Sequence, residues 1–207
     1  MTARVLVVSP HPDDEAIGCG GTLHRHAEEG SELRVVFLTS GEQGGHGVPP
    51  STAGPQREEE AGRAAEILGI DHLDFWRYTD GALKANASIV ERLRELLRTW
   101  QPGIVYAPHL GEMHTDHRAT ARITLRATAG LGIESRFFEI WTPLQRMDEI
   151  VDISPYIDVK LAAIRAYESQ CDVMSFDEAF LGLARYRGEM FSWPGGSYAE
   201  IFVRGSA

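Results

Sequence analysis

Val5-Leu6-Val7-Val8-Ser9-Pro10-His11-Pro12-Asp13-Asp14-Glu15 is the stretch that decides the fold. Its first four residues form an apolar run of the length and composition of a buried parallel strand. The residues after such a strand lie at its carboxyl end, where open α/β sheets keep their chemistry. Here that place holds one imidazole and three carboxylates in a five-residue span. Pro10 and Pro12 bias the backbone between them towards extended geometry, so these side chains are aimed. Desolvating clustered carboxylates is costly unless a cation compensates. The segment therefore reads as half of a metal site with a base beside it.

Working outward, strand and helix alternate. A helix is expected over 17–29, closed by Gly30, then a strand over 33–38. A long glycine- and proline-rich loop over 39–55 is placed as a cover for the site. A helix over 56–68 ends at Gly69, and a short third strand spans 72–75. The segment 88–100 is an amphipathic helix with Ile89, Leu93, Leu96 and Leu97 on one face, followed by a fourth strand over 103–107. Further on the pattern is weaker. Thr115 is expected to cap a helix reaching Ala129, with strands over 137–141 and 149–153, a helix over 157–168 and a last strand over 198–203. Such alternation predicts an α/β fold: a Rossmann-like, doubly wound, mainly parallel sheet with helices on both faces. The length suits one domain over 1–207.

A second polar cluster, His109-Leu110-Gly111-Glu112-Met113-His114-Thr115-Asp116-His117, follows the fourth strand. With strand order 3-2-1-4, the loops after the first and fourth strands open into one crevice. His114 and His117, three apart at a helix start, share roughly one face. Three His or carboxylate ligands with an open fourth position suit a catalytic zinc. His11, Asp13, Asp14, Glu15, His114, Asp116 and His117 are all candidates, the surplus serving as base, oxyanion partner and support.

Pro10-His11-Pro12-Asp13-Asp14-Glu15, Gly18-Cys19-Gly20-Gly21-Thr22 and His114-Thr115-Asp116-His117 together resemble the PIG-L/LmbE deacetylases, which remove acetyl from N-acetylglucosamine-type sugars. Arg57 with the acidic residues after it, Tyr78-Thr79-Asp80-Gly81, Tyr167-Glu168-Ser169-Gln170, Arg185-Tyr186-Arg187-Gly188 and Tyr198-Ala199-Glu200 extend the likeness over nearly the whole chain. The resemblance implies that His11, Asp14 and His117 bind zinc, with ferrous iron as the alternative metal. It further implies Asp13 as general base, and His114, as an imidazolium oriented by Asp116, as the oxyanion partner. Arg57 and Asp80 align with its sugar-contacting residues. Members acting on a thiol-precursor sugar carry a tyrosine two places before the histidine aligned with His114; this chain has Glu112 there.

A formal charge of −10 with scattered basic residues argues against a nucleic-acid partner. No apolar run is long enough to span a bilayer, and the N-terminus has no charged-then-apolar leader, so a cytoplasmic protein is expected. Cys19 and Cys171 make no disulfide framework. The expected partner is a small amino-sugar substrate, with a homo-oligomer left open. Plain alternatives stand beside each reading. Asp13 or Asp14 as a mere helix cap leaves His11 and the prolines unexplained, and His114 with His117 alone would be an ordinary helix start. Arg57 and Asp80 could form a simple ion pair, while His46 and His109 have weaker claims as a metal contributor and a supporting residue. Gly18, Gly20 and Gly21 have the wrong spacing for a dinucleotide loop, which disfavours a nucleotide-dependent oxidoreductase, and suit close helix-to-sheet packing instead. An amidase for another amide, such as a thiol conjugate, and a non-catalytic sugar- or metal-binding protein are the rival functions. An intact Asp13 beside the ligands argues against the second of these.

Overall fold

Strand β1 (Arg4–Ser9) is buried along nearly its whole length because helices cover both of its faces. Val5 and Val7 enter one core, and Leu6 and Val8 enter the other. That two-sided burial is why the strand is a continuous apolar run without alternation. In this computed structural model, which describes residues 3–191 and 195–205, β1 pairs in parallel with β2 (Glu32–Phe37) and β4 (Ile104–Pro108). Strand β3 (His72–Phe75) extends the parallel sheet beyond β2, and β5 (Glu134–Phe138) beyond β4. At the far edge β7 (Ala199–Arg204) runs antiparallel to both β5 and β6 (Glu149–Asp152). The order is β3-β2-β1-β4-β5-β7-β6, so the expected 3-2-1-4 half and the mainly parallel α/β sheet are both present.

On the Val5/Val7 face lie α1 (Asp14–Glu28), α2 (Pro50–Leu68), α5 (Ile157–Arg165), the short α6 (Glu168–Cys171) and α7 (Phe176–Phe191). The opposite face carries α3 (Ala87–Trp100) and α4 (Thr115–Thr128). The glycines of α1 permit close packing: a Cβ at Gly18 would stand 2.1 Å from the Phe138 ring, and one at Gly21 would stand 2.8 Å from Ile153. Helix α1 breaks at Cys19 (φ −147°, ψ 20°), which frees backbone groups inside the protein. Glu200 answers them, accepting from Gly21 N (3.0 Å), Thr22 N (2.8 Å) and Thr22 Oγ1 (2.6 Å). Lys160 neutralises Glu200 and donates to Ile17 O at 2.6 Å. Among the described residues no helix is long and apolar enough to cross a membrane.

Four expectations need correction. The loop expected over 39–55 ends at Pro49, because Pro50 sits in the first turn of α2, where a missing N–H removes no helix bond. The strand expected over 137–141 lies earlier, at Glu134–Phe138, since Glu112 takes the N–H groups of Ile140, Trp141 and Thr142 out of any ladder. The helix expected over 157–168 stops at Arg165 and resumes as α6, with α7 a further helix beyond it. Helix α4 is capped by His114 rather than Thr115, its Nδ1 accepting from Asp116 N at 3.3 Å.

Candidate active site

The turn after β1 is held open by its neighbours: Thr39 donates both N–H (3.0 Å) and Oγ1–H (2.8 Å) to Pro10 O. Asp13 then adopts φ 129°, a left-handed conformation that L residues occupy only when their surroundings enforce it. Glu15 supplies that enforcement, its Oε2 accepting from Asp13 N at 3.2 Å while Tyr167 donates its hydroxyl to Oε1. Burial pushes the Glu15 carboxyl up to about 8, with the Tyr167 hydrogen bond opposing.

This turn meets the start of α4. His11 Nδ1 lies 3.1 Å from Asp14 Oδ2, and Asp14 Oδ1 lies 3.4 Å from His117 Nε2. His117 is fully buried, and neither of its ring nitrogens has a hydrogen-bond partner in bonding geometry. Ligands about 2.1 Å from a tetrahedral centre stand about 3.4 Å from one another. The two Asp14 separations match that edge, and an orphaned buried Nε2 facing a carboxylate is what a cation would satisfy. Burial works to lower the His11 pKa, yet Asp116, Asp14 and Asp80 together raise it well above the usual imidazole range. The site thus favours positive charge at its centre, and the donor set fits a divalent metal. Ring nitrogens of His11, His114 and His117 also lie within 4.8 Å of one another, as do ligand atoms of His11, Asp80 and Asp116.

The other expected residues surround this centre with specific partners. His11 Nε2 stands 3.0 Å from Asp80 Oδ1 and 3.5 Å from Asp116 Oδ2, so both carboxylates bear on His11. Burial would raise Asp80, but His11 outweighs it and holds the carboxyl down at about 2. The Asp116 carboxylate also accepts from Gly81 N (2.7 Å) and Leu83 N (3.2 Å). Only the Asp116 main chain meets His114. Because His114 Nδ1 accepts that N–H, its proton belongs on Nε2. Burial, with the charges of His11 and His117, lowers the His114 pKa, which works against the expected imidazolium.

Arg57 is 4% exposed, and its guanidinium donates to Asp13 Oδ2 (2.9 Å), Pro12 O (2.6 Å) and Gly41 O (2.9 Å). A Cβ at Gly41 would fall 2.3 Å from that guanidinium, so the close approach requires glycine. Arg57 is therefore engaged with the turn that carries Asp13, whereas the family resemblance implies sugar hydroxyls as its partners. Burial pushes the Asp13 carboxyl up to about 7 even against the Arg57 charge, which places it in the range of a working general base.

His11, Asp13, Asp14, Arg57, Asp80 and His114 line one wall of a cavity of about 290 Å³, while His117 and Asp116 are fully buried and do not reach it. The loop residues Gln43 and His46 line it too, so the expected cover is present, pinned by Gln43 N to Asp80 Oδ2 at 3.0 Å and by Gln170 Nε2 to Gly44 O at 3.1 Å. Ile17, Ile140, Trp141, Met174 and Phe176 form an apolar wall, with Trp141 edge-on to Phe176 at 5.8 Å. Sequence reasoning misses that wall because Ile17, beside the first motif, is joined by Ile140, Trp141, Met174 and Phe176 from segments far along the chain. Glu112 lies inside a quoted motif with His109 and His117, but the three N–H groups that it holds, of Ile140, Trp141 and Thr142, come from another segment. His109 supports Glu112 at 3.3 Å and contacts no candidate ligand directly.

The GlcNAc-PI de-N-acetylase (PIG-L) family matches residues 6–128. A diacetylchitobiose deacetylase from Thermococcus kodakarensis is 32% identical, over 95% of this chain and 81% of its own. The crystal structure of the conserved protein TT1542 from Thermus thermophilus superposes with TM-score 0.85 at 33% identity, covering 98% of this chain and 94% of that one. That of GalB, the 4-carboxy-2-hydroxymuconate hydratase from Pseudomonas putida KT2440, gives 0.88 at 26% identity, over 100% and 97% of the two chains. Motifs, sheet order and these likenesses agree, and the chain belongs to the PIG-L family of de-N-acetylases.

Proposed function

We propose that this protein is a divalent-cation-dependent hydrolase that removes acetyl from an N-acetylglucosamine-type sugar. The observation that carries the reading is Asp13, clamped by Arg57 at 2.9 Å, beside the His11–Asp14–His117 set, with His11, Asp13 and Asp14 lining a cavity of about 290 Å³. His11, Asp14 and His117 would hold the cation, with zinc the first choice and ferrous iron the alternative, and when bound it would supply Lewis acidity.

Asp13 takes the proton of the attacking water and returns it to the departing amine. Arg57 keeps the Asp13 carboxylate aimed during both transfers. His114, as a neutral donor, offers Nε2–H to the carbonyl oxygen as negative charge develops on it. Asp80 and Asp116 fix the His11 ring from its far side. Gln43 and His46 offer polar groups to sugar hydroxyls, and the Trp141 wall meets the ring's apolar face.

Charge supports a neutral substrate over a carboxylated one. Arg57 is the only lysine or arginine among the described residues lining the cavity, and it is already engaged. A di- or tricarboxylate would face Asp13, Asp14 and Asp80 without a free cationic side chain. The test is acetate and free-amine release from a panel of N-acetylated sugars by the cation-loaded protein. Release from the neutral sugars supports the proposal, and none from any member overturns it.

A further inference from the structure

Glu112 is 1% exposed and touches neither substrate space nor solvent. Its Oε1 accepts from Ile140 N at 2.7 Å and Thr142 N at 3.3 Å, and its Oε2 accepts from Trp141 N at 3.1 Å. The same carboxylate faces two imidazoles, with His117 Nδ1 3.4 Å from Oε2 and His109 Nε2 3.3 Å from Oε1. Among the described residues no lysine or arginine pairs with it. A buried carboxylate without a fixed cationic partner is costly, and a loop could be stapled by a neutral side chain instead. The negative charge calls for a second explanation.

His117 supplies it. Its Nε2 faces Asp14, and its Nδ1 has only Glu112 opposite. An imidazole can present a lone pair at Nε2 only if its proton sits on Nδ1, and a carboxylate behind Nδ1 selects that tautomer. We infer that Glu112 is a positioning residue: it holds His117 as the Nδ1–H tautomer, directs Nε2 at the cation, and ties that ligand to the Ile140–Trp141 wall through the same two oxygens. The inference rests on the cation site proposed above.

Two readouts other than turnover test it. In chelator-stripped protein labelled with ¹⁵N at histidine, at a pH where the ring is neutral and with His117 assigned by comparison with His117→Ala, Nδ1 is expected to carry the proton. A proton on His117 Nε2 overturns the inference. In chelator competition, Glu112→Gln is expected to weaken zinc binding by about 10–100-fold. In a His117→Ala background the same change should alter zinc binding less than about twofold, because its route to the cation is already gone. Equal losses in both backgrounds would show that Glu112 only staples the loop, and no loss in the native background would also overturn it. If Glu112→Gln does not fold, the tautomer spectrum of the unaltered chain still decides. If the native chain binds no zinc, the cation reading falls, and the tautomer of its cation-free His117 still judges Glu112.

Discussion

Replacing Arg57 with methionine removes a charge while keeping most of the apolar stem, and the structure sets the scale of the loss. Three contacts disappear: Asp13 Oδ2 at 2.9 Å, Pro12 O at 2.6 Å and Gly41 O at 2.9 Å. Removing one partner of a buried ion pair usually costs about 3–5 kcal/mol. Asp13, with its carboxyl already at about 7, can escape part of that penalty by taking a proton. A loss of about 3 kcal/mol is therefore expected, which for a chain of this size lowers Tm by about 6–12 °C. The Arg57 charge is what opposes burial at Asp13, so its removal drives the carboxyl higher and leaves less ionised base at neutral pH. Together with lost aim, kcat/KM should fall about 10²-fold, with the acid limb of its pH profile moved to higher pH. The decisive assay compares an N-acetylated sugar with an activated acetanilide that has no hydroxyls. Similar losses on both are expected if Arg57 serves Asp13. A loss confined to the sugar, with Tm unchanged, would show that Arg57 reads hydroxyls and would refute the reasoning.

Other outcomes follow from the packing. Lys160→Met leaves Glu200 buried without its cation at the break in α1, and should cost about 3–5 kcal/mol in denaturant unfolding. A change below about 1 kcal/mol would mean that the pair contributes little. Gly18→Ala places a methyl 2.1 Å from the Phe138 ring, which cannot move far in a close-packed core, so a loss of about 1–3 kcal/mol is expected in the same assay. His26 lies against the Tyr106 hydroxyl at 3.0 Å, and burial lowers its pKa despite Glu29. Below its unfolded value of 6.5 the unfolded chain binds more protons than the folded one, so this contribution is full above pH 6.5 and declines on acidification. His26→Gln should flatten the stability curve in that window, and an unchanged slope would reject the assignment.

How much of this is readable from residue order depends on where the information sits. β1, β2 and β4 are apolar runs because helices cover both faces, and Gly30 and Gly69 mark helix ends by their positive φ. Local sequence therefore suffices for the parallel half of the sheet, and the meeting of the two polar clusters is a consequence of its topology. Past α4 the determinants are long-range. β7 inserts between β5 and β6 from the end of the chain, and the stop of β5 is set by Glu112, a residue from another loop. Helix α7 carries Gly182 and Gly188 and buries few side chains, so its periodicity is faint. Within the site, residue types are readable but partnerships are not. Neither Arg57 on Asp13 nor Glu112 behind His117 can be inferred from spacing, because both depend on tertiary distance.

The most direct test of the central claim is a cation titration of acetate release. Protein stripped by a chelator is supplied with increasing equivalents of zinc or ferrous iron, and acetate liberated from an N-acetylglucosamine-type sugar is measured at each step. The rate should begin near zero, rise linearly and level off at one equivalent per chain, and Asp14→Ala should stay near zero throughout. Full activity in the stripped protein, or an undiminished rise in Asp14→Ala, would contradict the account.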